Sequence, residues 1–366
     1  MSCSLSRFFF FKTHIYSMKS TLHLDQGTML AHALRGVETC FTVAMEDSYE
    51  SKIGHEEFHP DAVFREMAIL ANELSNLFKT GLTPCQEAAF VNHLLHSLAW
   101  MVYGSNKIEK AGSNSEITLK LCLAIFCGKE IPVEIEEQDQ EYLSLKESLI
   151  SQNLPADTSA VLRSRREVVQ HAKAAAFMID QLCIRGQDLS EQIILEAHRI
   201  LTYKVDAETT PWKEYSGVYR SHEVSAGLHA FPHPSLVPYR MKSMFHELKC
   251  DLKEATKNGT IDPIALASKY THIFVNIHPF IDGNGRMCRL ILNSMLLKFG
   301  AFLACIGVDE DDRSIYMEIA MNGGALEYLY EDAEQEEKPK LHKELASYVL
   351  GHVKRSMTGL VSAVAQ

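Results

Sequence analysis

The sequence lacks features that mark several common functional classes. It has no apolar run near the ~20 residues that a bilayer crossing requires, so we expect no membrane span. Its nine cysteines include no Cys-x-x-Cys pair, which argues against a zinc module and favours a reducing compartment. It also lacks a basic excess, because its formal net charge is -11. We therefore expect no nucleic-acid partner.

The first 24 residues lack acidic side chains altogether. They contain Arg7, Lys12 and Lys19 around the run Phe8 to Phe11. A basic, serine-containing and acid-free start has the profile of a mitochondrial targeting segment. The alternatives are a disordered basic tail or an overextended start, since Met18 could also initiate. We expect an intracellular protein, cytoplasmic or nuclear, with a mitochondrial location if this segment targets the chain.

Most of the 366 residues show the apolar spacing of helices. Thr83 as a cap and Pro84 at the first helical position predict a helix to about Tyr103. Only the stretch from Trp212 to Pro234 lacks helical character. We predict an all-α fold with one small β-hairpin. By composition the chain divides into a basic tail (1–24), an N-terminal helical region (25–129), an acidic insertion or linker (130–162), a main domain (163–330) and a charged segment with a last helix (331–366).

The chemistry is concentrated in residues 278–289. His278 can take up a proton near neutral pH, and Asp282 is a hard oxygen ligand of the kind that Mg²⁺ prefers. The loop 283–285, Gly-Asn-Gly, allows successive backbone N–H groups to point into one concavity. These residue types together indicate a base and a metal ligand beside an anion cradle.

The segment after this loop predicts a buried helix that ends at Gly300. The loop then lies at a helix N-terminus, where the dipole and unpaired N–H groups favour an anion. Arg286 and Arg289 are three residues apart and share a helix face. The pattern indicates a site for a polyphosphate and a nucleophile. The alternative, an ordinary turn before a core helix, would need neither His278 nor the paired arginines.

Residues 278–289 resemble the signature of the Fic family, H-x-F-x-[D/E]-G-N-G-R-x-x-R, at every fixed position. Fic proteins are mostly protein adenylyltransferases, which move AMP from ATP to a hydroxyl of a target protein. The resemblance implies the Fic fold, a helical bundle with a hairpin flap, over residues 163–330. It also implies ATP as substrate, Mg²⁺ or Mn²⁺ as cofactor and a protein partner with a Ser, Thr or Tyr hydroxyl.

The resemblance gives each signature residue a role. His278 would act as the catalytic base, and Asp282 would hold the metal between the α- and β-phosphates. Arg289 would bind the γ-phosphate, while Phe280 anchors the loop in the core. The remaining phosphate-binding groups would be the amides of Gly283, Asn284 and Gly285 and the side chain of Arg286.

Two further segments resemble parts of the family's site. Val224, Ser225, Ala226 and Gly227 resemble the flap edge, which holds the target's backbone by strand addition; the alternative is an irregular loop. Tyr316 and Asn322 follow the signature and are candidates for the adenine side of the nucleotide site.

Residues 105–110 resemble the inhibitory helix that many Fic proteins carry, with the pattern [S/T]-x-x-x-E-[G/N], and we place this helix at about 100–115. Ser105 and Glu109 match the pattern, whereas Lys110 departs from its final position. In the family this glutamate pairs with the second arginine of the signature and blocks productive placement of the γ-phosphate. The alternatives are a solvated helix glutamate or a different inhibitor, Glu46, whose surrounding segment matches equally imperfectly.

The sequence leaves three functions open. The first is an autoinhibited protein adenylyltransferase. The second is the reverse enzyme, which removes AMP from a modified protein with the same site and uses Glu109 to place a water. The third is a nucleotide-binding pseudoenzyme, which would not need to keep His278. The oligomeric state is also open, with a homodimer as one alternative.

Overall fold

A computed structural model describes residues 41–132, 134–226, 229–330 and 339–365. The predicted basic tail (1–24), Gly227 of the flap and residues 331–338 of the charged segment lie outside the described residues.

Helices dominate these ranges, and the predicted all-α fold with a small hairpin is confirmed. The helices are α1 (Pro60–Thr80), α2 (Pro84–Ile108), α3 (Ser115–Phe126), α4 (Gln140–Ser151), α5 (Thr158–Ile179), α6 (Glu191–Leu201), α7 (Trp212–Tyr215), α8 (Val237–Asn258), α9 (Pro263–Ile277), α10 (Asn284–Gly300), α11 (Glu310–Leu329) and α12 (Lys343–Ala365). A π-helical turn, Asp180–Ile184, extends α5, and a 3₁₀ turn, Pro234–Leu236, precedes α8.

Three short strand pairs join the helices. β1 (Thr42–Val43) pairs in parallel with β6 (Thr260–Ile261). β2 (Lys52–Ile53) pairs antiparallel with β3 (Glu56–Glu57). β4 (Ser225–Ala226) pairs antiparallel with β5 (His229–Ala230) and forms the predicted hairpin.

Local signals explain where the helices begin. The Thr83 hydroxyl accepts a hydrogen bond from the Gln86 N–H, and the Gln86 side chain accepts one from the Thr83 N–H. This reciprocal cap starts α2 at Pro84, as predicted. Asp262 caps α9 in a related way, because one of its oxygens accepts hydrogen bonds from the N–H groups of Ile264 and Ala265.

The centre of the core is α10, the helix that begins within the signature. Its apolar side chains are nearly all enclosed by α9, α5, α2 and α6: Met287, Leu290, Ile291, Leu292, Met295, Leu296 and Leu297. Burying a side chain of this size contributes about 1.5–3 kcal/mol. A helix fixed on every side is a rigid base for the loop at its N-terminus.

Two predicted boundaries differ from the structure. The helix α2 continues to Ile108 rather than ending near Tyr103, so Ser105 lies inside it and Glu109 ends it. The predicted acidic insertion or linker contains a packed helix, α4, whose Tyr142, Leu145 and Leu149 are buried. The acidic residues disguised this helix because most of them lie just before it, at positions 130–139.

Among the helices described above, none combines the length and the apolar character that a bilayer crossing requires.

Candidate active site

His278 ends α9 and begins the signature loop. Its backbone is left-handed, with φ 48° and ψ 61°, a conformation that costs a residue other than glycine about 1–3 kcal/mol. Its Nδ1 lies 3.2 Å from the carbonyl oxygen of Val275. Because a carbonyl can only accept, Nδ1 carries the hydrogen, and Nε2 holds the lone pair in the neutral ring. This tautomer suits a general base that acts through Nε2.

The loop is locked from within by Asn284. The Asn284 side chain accepts from the Phe280 N–H at 2.9 Å and donates to the Phe280 carbonyl at 2.8 Å. Because its side chain is used inside the loop, only the backbone of Asn284 can face a ligand. The first N–H groups of an α-helix have no intrahelical acceptor, so this turn of α10 suits an anion.

His198 of α6 supports the loop from the opposite side. Its Nδ1 accepts from the Gly217 N–H, so its Nε2–H donates to the Asp282 carbonyl, both at 2.9 Å. Its ring stacks on Phe280 with centroids 3.6 Å apart. Burial lowers the pKa of His198 to about 4, so the ring is neutral at physiological pH. His198 is therefore a support for the loop.

Asp282 presents a carboxylate at the rim of this loop. One oxygen accepts from the Gly283 N–H at 2.6 Å, and the other lies 3.2 Å from the Arg286 guanidinium. Burial alone would raise the pKa of Asp282, but Arg286 and the Gly283 N–H outweigh it and lower the pKa. The ionised carboxylate fits a Mg²⁺ or Mn²⁺ ion. In the described ranges no group of three or more acidic, histidine or cysteine side chains forms a metal cage, so such an ion would need substrate phosphates as further ligands.

The two signature arginines are both buried, but they differ in their hydrogen-bond partners. Nη2 of Arg286 lies on Asp282, while its Nε and Nη1 have no hydrogen-bond partner within the described residues. Nε of Arg289 donates to the Ser105 hydroxyl at 2.8 Å, and Nη2 donates to the Ser105 carbonyl at 2.9 Å. Arg289 is thus held by Ser105, whereas two nitrogens of Arg286 are buried without a hydrogen-bond partner among the described residues.

Glu109 forms an ion pair with Arg289 across the end of α2. Its Oε1 lies 2.6 Å from Nη2 of Arg289, whose side chain is 3 % exposed, against 36 % for Glu109. A methyl group at position 285 would overlap the Glu109 carboxylate. The carboxylate therefore lies against the first turn of α10, where the helix dipole favours negative charge. Glu109 therefore lies against the groups that, by the family resemblance, would bind phosphate.

The segment after Glu109 is attached to α5. The Gly112 N–H donates to Glu167 at 2.7 Å, and the Ser164 hydroxyl donates to the Gly112 carbonyl at 2.7 Å. Between these anchors and Glu109 lies Lys110, whose φ of 53° is left-handed. This conformation favours glycine or asparagine, which explains why the family pattern has those residues at the position where this chain has lysine.

The alternative inhibitor, Glu46, lies far from the signature. Its N–H donates to Asp262, which starts α9, whereas His278 ends that helix. A helix of this length, 15 residues, separates its ends by about 20 Å. The structure therefore corrects the alternative: it brings Glu109, not Glu46, to Arg289.

The two predicted adenine-side residues lie on different faces of α11. They are six positions apart, which places them about 120° apart around a helix. Tyr316 faces the core, with its ring centroid 5.5 Å from Arg289 Cζ and its hydroxyl 3.5 Å from Cys288 Sγ, while Asn322 is exposed. Tyr316 therefore supports Arg289 and does not form one surface with Asn322.

The predicted flap residues Val224, Ser225 and Ala226 lie at the hairpin, with Ser225 and Ala226 forming β4. Phe231, just after β5, stacks on the His278 ring with centroids 3.8 Å apart and planes 16° apart. The structure also brings Arg220 to the site, where it donates to the His278 carbonyl at 2.7 Å. Neither Phe231 nor Arg220 was assigned a role from sequence, although an aromatic and a cation flanking a hairpin could have drawn attention.

Comparison with known proteins adds to this geometry. Residues 188–296 match a family model described as the Fic/DOC family. A Fido domain-containing protein of Dictyostelium discoideum is 39 % identical over 97 residues, which are 26 % of this chain and 65 % of that protein. The protein adenylyltransferase Fic of Drosophila grimshawi is 30 % identical over 122 residues, 33 % of this chain and 23 % of that protein. The matched region is thus less than two thirds of each relative.

Solved structures resemble the chain over more of its length. A Fic domain containing signalling protein from Bacteroides thetaiotaomicron aligns with a TM-score of 0.58 and 19 % identity, covering 84 % of this chain and 97 % of that one. Fic-1 from C. elegans aligns with a TM-score of 0.51 and 19 % identity, covering 83 % and 74 %. At this identity the likeness shows a shared fold.

Proposed function

We propose that this chain, whose residues 188–296 match the Fic/DOC family model, is a protein adenylyltransferase which transfers AMP from ATP to a Ser, Thr or Tyr hydroxyl of a target protein. In this proposal Glu109 restrains the transfer. The observation that carries the proposal is the arrangement at the N-terminus of α10. A histidine with its lone pair on Nε2, an ionised carboxylate and two buried arginines surround a helix start that favours anions.

The transfer is an in-line displacement at the α-phosphorus of ATP. His278 Nε2 takes the proton of the acceptor hydroxyl. The hydroxyl oxygen forms a bond to the α-phosphorus, and the bond to the bridging oxygen breaks, so that pyrophosphate leaves with the electron pair. Arg286 and the first N–H groups of α10 hold phosphate oxygens, which makes catalysis a matter of positioning and electrostatic stabilisation.

Asp282 is the residue that would hold Mg²⁺ or Mn²⁺. A bound ion would neutralise negative charge on the phosphates. The carboxylate is suited to this task because Arg286 and the Gly283 N–H keep it ionised.

Glu109 restrains the transfer by competing for Arg289. A carboxylate 2.6 Å from the guanidinium occupies the group that would receive the γ-phosphate. ATP that enters beside it would be displaced, and its α-phosphorus would lie off the line of attack. The restrained state is therefore a property of the chain itself.

The proposal is tested with ATP labelled at the α-phosphate, incubated with Mg²⁺ and three variants: Glu109→Gly, Glu109→Gly with His278→Ala, and Glu109→Gly with His96→Ala. His96 is a half-buried histidine of α2 whose Nδ1 bonds the Asn92 carbonyl of the same helix, and it serves as the matched control. We expect label on protein for the first and third variants and none for the second. Equal labelling of all three would refute the role of His278, and labelling of none would refute the transfer.

Removal of AMP from a modified protein is a second candidate function. The observation that favours it is the 36 % exposure of the Glu109 side chain, because a partly exposed carboxylate beside the phosphate cradle can orient a water. AMP release from a pre-labelled protein should then be fast for wild type and lost in Glu109→Gly. Release that is unchanged in this variant would exclude the second function.

A further inference from the structure

We propose that Arg220 is a positioning residue that couples the hairpin to His278, so that the acceptor-binding strand and the catalytic base are held as one unit. This inference deepens the proposed function and rests on it for its catalytic consequence. Its structural part, the coupling of hairpin and histidine, can be tested without any transfer activity.

The guanidinium of Arg220 reaches three separate backbone carbonyls. Nε donates to His278 at 2.7 Å, Nη1 donates to His222 at 3.1 Å and Nη2 donates to Pro232 at 2.6 Å. His222 precedes β4 and Pro232 follows β5. One side chain therefore closes the hairpin at its base and ties that base to the catalytic loop.

The backbone of Arg220 reinforces the same link. Its N–H donates to the Pro279 carbonyl at 2.9 Å, so residues 278 and 279 are both held by this one residue. Arg220 is 3 % exposed, and burial lowers the pKa of its guanidinium. A cation enclosed in this way needs well-aligned acceptors. The guanidinium of arginine spreads its donors over three nitrogens in a fixed plane, whereas the three donors of a lysine ammonium share one nitrogen and match these separated carbonyls less well.

The link determines how the His278 ring is placed. His278 adopts a left-handed backbone conformation that persists only when its surroundings fix it. Its N–H is held by Phe274, its Nδ1 by Val275 and its carbonyl by Arg220. Its ring stacks on Phe231, the neighbour of Pro232. Arg220 thus fixes the backbone on both sides of this stacked pair.

The consequence concerns the acceptor hydroxyl. If the target's backbone adds to β4, the distance from the hydroxyl to His278 Nε2 depends on the hairpin's position relative to residue 278. Arg220 sets that relation. Among the described residues, its hydrogen bonds reach neither the first turn of α10 nor Asp282. Its loss should therefore affect the acceptor step rather than ATP binding.

The structural test is NMR of histidine-labelled protein, with the His278 ring signals assigned by their loss in His278→Ala. The Phe231 ring, stacked at 3.8 Å, should displace these signals upfield. Arg220→Lys should move them toward their positions in Phe231→Leu, and the double variant should add no further shift. Arg199→Lys, at an exposed arginine paired with Glu196, is the matched control and should leave them in place. An unmoved His278 signal in folded Arg220→Lys would overturn the coupling.

The kinetic test uses the Glu109→Gly background. A misplaced reacting group typically costs about 10²-fold, so Arg220→Lys should lower kcat for the protein acceptor by about 10- to 100-fold and leave KM for ATP within about twofold. A parallel rise in KM for ATP would mean a general loss of the site and would overturn the positioning role. If the Glu109→Gly parent transfers no AMP, the proposed function fails, and the NMR shifts alone decide the coupling.

Phe231→Leu tests the same coupling from the hairpin side if Arg220→Lys does not fold. It should displace the His278 signals downfield and lower kcat without raising KM for ATP. Unchanged signals would show that the stacked pair does not exist in solution, and the proposal would be refuted.

Discussion

The two segments that meet at the N-terminus of α10 are held in different ways. The signature loop is closed by its own residues, since Asn284 bonds both backbone groups of Phe280, and His198 supports it from behind. Glu109 ends a helix and is followed by Lys110 in a left-handed conformation. The loop is therefore held mainly by its own residues, whereas Glu109 is held by its contact with Arg289 and by the attachment of Gly112 to α5.

The largest effect is expected from a substitution in the signature loop. In the Glu109→Gly background, His278→Ala should reduce AMP transfer by about 10²–10⁴-fold, the usual cost of losing a general base. ATP affinity, measured by calorimetry with Mg²⁺, should change little because the imidazole serves the acceptor hydroxyl. A large loss of ATP affinity would place His278 in nucleotide binding instead.

Removal of the metal should have the next largest effect. Chelation with EDTA should stop transfer, and Asp282→Ala should lower the rate on the order of 100-fold and weaken its dependence on Mg²⁺ concentration, because a bound ion contributes several kcal/mol to transition-state stabilisation. The measurement is a Mg²⁺ titration of initial rates. Turnover that is unaffected by chelation would contradict the assignment of Asp282 as a ligand.

Removing the Asn284 side chain should lower the rate of AMP transfer by a smaller factor and should also lower the stability of the protein. Asn284→Ala leaves the N–H and carbonyl of Phe280 without their buried partners, which costs about 1–3 kcal/mol per unsatisfied group. The Tm of thermal unfolding should be lower than in the parent protein, and the rate of AMP transfer should fall as well. A stable but inactive variant would show that Asn284 acts on the nucleotide rather than on the loop.

The smallest effect is expected at Lys110, which follows the proposed inhibitory residue Glu109. Lys110→Gly relieves the left-handed strain, which we expect to favour the inhibited state by about 1 kcal/mol and so reduce basal transfer about fivefold. Lys110→Ala removes the same charge without relieving the strain and is the matched control. Equal effects of the two substitutions would assign the change to charge instead of backbone conformation.

The sequence predicted those site residues that lie in one continuous segment, but not those whose contacts come from distant parts of the chain. The roles of residues 278–289 come from one continuous segment, and the structure brings those residues together. The partners of Arg220 could not be predicted, because they are backbone carbonyls that only the folded hairpin brings together. The orientation of the Tyr316 side chain toward Arg289 was likewise unpredictable, since it depends on how α11 packs against α10.

The choice between Glu109 and Glu46 shows the same limit. The sequence favoured Glu109 and kept Glu46 as an alternative, since both patterns depart from the family's at their final position. The packing separates the two, because Glu46 and His278 lie at opposite ends of α9. The mismatch at Lys110 became interpretable once its backbone was known. The motifs therefore predicted which residues form the candidate site, whereas the fold was needed to show that Glu109 contacts Arg289.

The most direct test of this account is the rate of auto-AMPylation in wild type, Glu109→Gly and Glu46→Gly under identical ATP and Mg²⁺. Hydrogen bonds to charged groups contribute about 1.5–3 kcal/mol, so freeing Arg289 should raise the rate about 10- to 100-fold in Glu109→Gly. Glu46→Gly should match wild type. Activation by Glu46→Gly alone, or equal rates in all three proteins, would contradict the claim that Glu109 restrains the site.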